Sequence, residues 1–354
     1  MLEALAAHFR GSAERFRWMG SPFNERLSAA CAEAPDVLEL AACARVGQPP
    51  SFLLFGAVHD LLLERPDSPL ARHYPSIAER PLPPEGLFPA FRAFCRERRD
   101  EVSAIVRERT VQLTTAGRAA LVLPAMAHVA RVAGEPLSLI EIGASAGVLT
   151  LFDSYRYDYG AGRVLGEPGA PSWAGCQFSG MPPLPREMPR VARRAGIDLR
   201  PIDPRSPTER RWLEALLPPD WTEERRALVA CLDLRAATPL DMRVGDALDV
   251  LPDLLAIMPD PVVVLHANCL YQWPAPLHHA LEMELREASR GRTLHRLGLE
   301  LTGSSFTSAL PPPAVAGDPP LTYEIVHTVY RDGDRSESRL ASHDGFGRQA
   351  VWLA

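Results

Sequence analysis

The chain has 354 residues and a formal net charge of −6, with 46% hydrophobic and 23% charged residues, the balance of a globular protein with a sizeable core. Its 38 lysine-plus-arginine positions are all arginine, which excludes lysine Schiff-base chemistry and a Walker A loop. No basic run offers nucleic acid a foothold, no apolar stretch is long enough to span a bilayer, and the N-terminus lacks a basic leader, so a cytoplasmic protein acting on a small molecule is expected.

The six cysteines (Cys31, Cys43, Cys95, Cys176, Cys231 and Cys269) follow no metal or disulfide spacing, and no metal is expected. Residues 1 to about 130 read as an all-helical domain. Helical spacing runs through Ala4–Trp18, Asn24–Ala34, Val37–Ala44, Phe52–Leu63 and Pro89–Arg109, with Gly117–Ala133 as one more helix. Polar Gln112, Thr114, Thr115 and Arg118 precede that helix, with Gln112 and Arg118 as candidates to line a substrate cleft.

Residues 131–354 read as an α/β domain. Leu137–Ile142 is an apolar run of strand length, followed by Gly143-Ala-Ser-Ala-Gly147 and an apolar helix face at Val148–Phe152. A strand, a turn of small residues and a helix start form a ligand site in α/β folds. Glu141-x-Gly143-x-Ser145-x-Gly147 is similar to the cofactor loop of class I S-adenosylmethionine (SAM) methyltransferases, with Ser145 in place of the middle glycine. Glu141, Gly143, Ala144, Ser145 and Gly147 are then cofactor-binding candidates. Gly143-x-Ser145-x-Gly147 also matches the nucleophile elbow of serine hydrolases, with His327 or His343 as base. Glu141 and the position on the sheet's first strand favour the cofactor loop.

A Gly/Pro-rich insertion covers about 154–196, with a short strand predicted at Tyr155–Tyr159. Ile197–Asp203 is expected as the second sheet strand, with Asp203 on a cofactor ribose and Asp158 as its rival. Pro239–Val244 forms a third, and Asp246 either meets adenine or caps the helix Ala247–Ile257. Val262–His266 leads into His266, Asn268 and Tyr271, candidates for the reacting side. Thr293–Leu301 follows, and Thr322–Tyr330 with Ser336–Leu353 forms a terminal antiparallel pair. His343-Asp-Gly-Phe-Gly347 interrupts the last strand.

Over nearly its whole length the chain resembles a bacterial family of unknown function with a methyltransferase-like sheet. The marks are Glu141-Ile-Gly-Ala-Ser-Ala-Gly147, Asp153-Ser-Tyr-Arg-Tyr-Asp-Tyr-Gly160, Arg194-Ala-Gly-Ile-Asp-Leu-Arg-Pro-Ile-Asp203 and Val244-Gly-Asp246. The resemblance implies a Rossmann-like, mostly parallel sheet and a SAM pocket, without a substrate. Two departures stand out: Gln112-Leu-Thr-Thr115 for the family's Gln-Thr-Asn-Glu, and Val148-Leu149 for its Leu-Asn. A SAM-dependent methyltransferase is the expected function. A serine hydrolase using Ser145 and a non-catalytic ligand-binding scaffold are the alternatives.

Overall fold

The computed structural model describes residues 1–302 and 322–354. The chain forms two compact units, residues 1–114 with 205–229, and residues 115–204 with 230–354. The division is not the contiguous one at about residue 130. Residues 115–133 go with the sheet, because the helix Ala119–Ala133 packs on the 3₁₀ segment Val148–Ser154 and on the late strand Tyr323–Arg331.

The first unit is helical. Its central helix, Pro50–Glu64, is buried from Ser51 to Leu62, and so needs helices on all sides. One of these, Pro207–Leu216, comes from the distant segment and packs directly on it. The single helix expected over Pro89–Arg109 is two, Leu87–Glu97 and Arg99–Glu108, joined at Arg98, whose backbone leaves the helical region. Gln112 lies in this unit, half-buried in a stretch that is neither helix nor strand.

The second unit is α/β. Its strands are β1 (Leu137–Ile142), β2 (Arg156–Asp158), β3 (Val164–Leu165), β4 (Ser172–Ala174), β5 (Gln177–Ser179) and β6 (Val191–Asp198). Then come β7 (Asp241–Val244), β8 (Val262–Ala267), β9 (Thr293–Leu301), β10 (Tyr323–Arg331), β11 (Asp334–His343) and β12 (Gln349–Trp352). Nine of them make one mostly parallel sheet in the order β5-β12-β11-β10-β9-β8-β1-β6-β7. From β1 the chain runs outward through β6 and β7, then returns to β8 on the other side of β1 and continues to β9. The junction of β1 and β8 is therefore a topological switch point, and the carboxyl ends of its strands are where such sheets form ligand crevices.

β1 and β8 are buried at every position, as near-continuous apolar runs in central parallel strands should be. Ile140, Ile142, Val262, Val264 and Leu251 belong to the core beneath them. The antiparallel β10–β11 pair is present, and the last strand is broken at residues 344–348. Three expectations are corrected. The strand expected at Ile197–Asp203 is β6, which ends at Asp198, since the chain turns away before Pro201, which has no N–H to give a ladder. Val148–Phe152 is not the start of an α-helix but part of a 3₁₀ segment, with Leu151 outside helical geometry. Tyr155–Tyr159 contributes β2 to a separate three-stranded sheet, β3-β2-β4, so Asp158 does not stand at the main sheet's edge. Among the described residues no helix is long and apolar enough to cross a membrane.

Candidate functional site

The candidate site lies within the second unit, at the carboxyl ends of β1, β6, β8 and β9. It begins with the glycine turn. Gly143, Ser145 and Gly147 all have positive φ (71°, 52° and 74°), a conformation that glycine adopts freely and serine rarely. Ser145 is held there by Asp198 at the end of β6. Its N–H donates to Asp198 Oδ2 (2.8 Å), and its carbonyl accepts from Ile202 N–H (3.1 Å). The other oxygen of Asp198 accepts from Arg200 N–H (2.8 Å).

The turn's glycines make room for protein. A Cβ at Gly143 would lie 2.8 Å from Cys269 Cβ and closer still to its sulfur, and one at Gly147 would lie 2.5 Å from Leu240 Cδ2. Ala144 is buried and packs close to Gly196 of β6. Glu141 is buried too, and its Oε2 has no hydrogen-bond partner. Burial first, and then the neighbouring Asp198 carboxylate, push its carboxyl well above the usual range, against the opposing pull of Arg118 and of the Thr150 backbone. The shift favours the protonated form of Glu141.

The loop after β8 is organised by Glu300, a residue of β9. Its Oε1 accepts from His266 Nδ1 (2.8 Å), Leu270 N–H (3.1 Å) and Cys269 N–H (3.2 Å), and its Oε2 from Tyr271 N–H (3.4 Å). Three successive amides facing one carboxylate form an anion nest, here filled by the protein's own side chain. Asn268 enters the nest with φ 53°. With its amide oriented to satisfy both ends, its nitrogen donates to the Leu299 carbonyl (3.2 Å) and its oxygen accepts from Arg118 Nη2 (3.3 Å). The His266 ring lies over Gly298, where a Cβ would come within 2.7 Å of Cε1. Burial lowers the His266 pKa, opposed by the bond to Glu300, so this ring is a fixed internal partner of the loop. Burial likewise raises the Cys269 thiol, leaving it protonated and unreactive.

Arg118 joins this group, donating from Nε to the Gly345 carbonyl (3.1 Å) in the loop after β11. That loop is wound around Asp344, whose Oδ1 accepts from the N–H groups of Phe346 (3.1 Å), Gly347 (2.9 Å) and Arg348 (3.2 Å). His343 precedes it, fully buried, its pKa lowered by burial to about 4.

The expected site residues thus divide. Glu141, Gly143, Ala144, Ser145, Arg118, His266 and Asn268 are brought together, and Tyr271 stands at the outer end of the loop, 49% exposed. Asp246 is exposed and caps the helix Ala247–Ile257 through Leu248 N–H (2.9 Å). Asp203 is exposed in the coil beyond β6, and Asp198 holds the strand-end position instead. Gln112 belongs to the helical unit. His327 bonds His295 (Nε2 to Nδ1, 3.0 Å), and His343 Nδ1 accepts from Gly345 N–H, so the bonds that fix these two rings run elsewhere than to Ser145. Sequence reasoning missed Asp198 and Glu300. A lone acid in the apolar run Leu297-Gly-Leu-Glu-Leu301 is the available signal for Glu300. Among the described residues no group of three or more His, Cys, Asp or Glu is arranged to hold a metal ion.

No curated protein and no solved structure matches the chain. One family model does, and it takes in both units with the whole sheet edge: matched over residues 6–352, the chain belongs to the family described as an uncharacterized protein conserved in bacteria (DUF2332).

Proposed function

We propose that the second unit is a Rossmann-like domain of the methyltransferase kind, binding SAM at the carboxyl ends of β1, β6 and β7 and acting on a small-molecule acceptor. One observation carries this reading. Leu199, which follows Asp198, and Val244, which pairs with Asp198 across β6 and β7, are 69% and 72% exposed. Two large apolar side chains left in water at adjacent strand ends, beside the carboxylates Asp198 and Asp246, suit a flat base with a ribose attached. Asp198 would accept from the ribose hydroxyls, the role expected of Asp203, and Asp246 from the adenine amino group.

The fit is good at the nucleoside end and poorer at the turn, because Cys269 fills the space over Gly143. SAM, when bound, supplies an electrophilic methyl group. The chain's own part would be positioning: Glu300 sets the loop that carries His266, Asn268 and Tyr271, and no proton transfer by His266 is required of it.

Calorimetric titration with SAM and S-adenosylhomocysteine, with NAD as control, tests the proposal. Micromolar binding of the first two alone is expected, weakened at least about tenfold in Asp198→Ala, the loss of a charge-assisted hydrogen bond. Absence of binding by folded protein would reject the reading.

A further inference from the structure

We propose that Thr115, Arg118, Glu141 and His343 of the second unit form a binding site for a small monocarboxylate. The four residues come from three pieces of chain that meet at one turn. Thr115 and Arg118 bracket the 3₁₀ turn Ala116–Arg118. The loop after β11 lies directly on it: the Gly345 carbonyl accepts from Arg118 Nε, and a side chain at Gly347 would run into the Gly117 carbonyl. Glu141 sits near the end of β1, and the Arg118 guanidinium acts on both its carboxyl and the His343 ring.

Three of these side chains bury an unspent polar atom. Thr115 Oγ1, Glu141 Oε2 and His343 Nε2 have no hydrogen-bond partner, although the residues are only 0%, 3% and 0% exposed. Folded proteins rarely leave such groups unmet without a ligand or an ordered water. Each of the three can donate. Gly345 N–H donates to His343 Nδ1 at 3.0 Å, which leaves the proton of the neutral ring on Nε2. The buried Oε2 of Glu141 can donate whenever its carboxyl holds a proton, the form that burial favours. The Thr115 hydroxyl turns freely about its bond. Donors carried on chain segments that meet at Arg118 suit an acceptor-only group of one negative charge, and a carboxylate offers two such oxygens. A cationic or purely apolar ligand would leave the same atoms unmet.

The binding claim stands independently of the cofactor. The carboxylate's role as methyl acceptor rests on the SAM reading, and it suits a site without a poised base: a carboxylate is anionic at neutral pH, while His343 Nε2 is a donor and His266 is tied to Glu300.

The test is calorimetric titration of the full chain with acetate, propionate and benzoate, using acetamide as the neutral counterpart and inorganic phosphate as the other anion. Saturable binding of at least one carboxylate and none of acetamide is expected, with about tenfold weaker binding in Thr115→Val, which exchanges a hydroxyl for a methyl group. Thr115→Ala answers the same question if the valine variant does not fold. Silence toward every carboxylate, equal binding of acetate and acetamide, preference for phosphate, or full affinity in the folded variant would each overturn the proposal. SAM is titrated in parallel, so that losing one ligand alone condemns only the reading that predicted it.

Discussion

Glu300→Gln is the sharpest probe of how the second unit holds its loop. The carboxylate accepts four hydrogen bonds, from His266, Cys269, Leu270 and Tyr271. The amide keeps one oxygen, so the three bonds at Oε1 survive without their charge, each losing about 1 kcal/mol, while Tyr271 N–H at 3.4 Å meets an NH₂ group. The total is about 3–4 kcal/mol, an upper figure if the loop relaxes. For a unit of 150–250 residues that is a fall of about 6–15 °C in Tm, read by scanning calorimetry. Hydrogen exchange of the Cys269–Tyr271 amides locates the effect: protection should drop by about 160- to 900-fold, the same energy expressed as local opening. A Tm shift under about 2 °C with unchanged protection of these amides would refute the nest as the loop's organiser.

Gly143→Ala should destabilise the second unit by about 3 kcal/mol or more, through its positive φ and the collision with Cys269. Cys269→Ala in the same chain should recover part of the loss, and additive effects in a double-mutant cycle would deny the contact. The buried pair His295–His327 has pKa values lowered by burial to about 4 and about 3. The unfolded chain therefore binds more protons, and stability should fall as pH drops from about 6.5 toward 3–4; His327→Gln should flatten that slope, as denaturant titrations across the range would reveal. Glu141 has the opposite sign. Its raised folded pKa costs stability as pH rises above the ordinary carboxyl range, so Glu141→Gln should gain on the native protein in alkaline buffer, and an unchanged difference between pH 4 and 8 would contradict the upward shift.

What is legible in the sequence follows how the chain advertises burial. β1, β8 and β9 are apolar runs of strand length, and the β10–β11 hairpin turns at Asp332-Gly333, so all of these can be read directly. β6 is visible only at its end, because Arg193, Arg194 and Gly196 disguise it. Arg194 is in fact satisfied by a two-pronged bond to Asp153 (2.8 and 2.9 Å), which sequence spacing does not suggest. That misplaced strand end carries the ribose assignment to Asp203 instead of Asp198. The glycine turn is recognisable, yet what its glycines admit is not, since Cys269 approaches Gly143 from a loop more than a hundred residues away. Partners so remote leave no local pattern.

The helical unit is written in two instalments, and this bears on its synthesis. Pro50–Glu64 leaves the ribosome with a surface that the fold buries on nearly every side, while Pro207–Leu216, which covers one side of it, lies about 150 residues downstream. At 5–20 residues per second the nascent helix waits roughly eight to thirty seconds for its partner, while β1 and β6 are being made. The unit begun first therefore cannot close until the chain has passed residue 229, when much of the sheet unit has already been made.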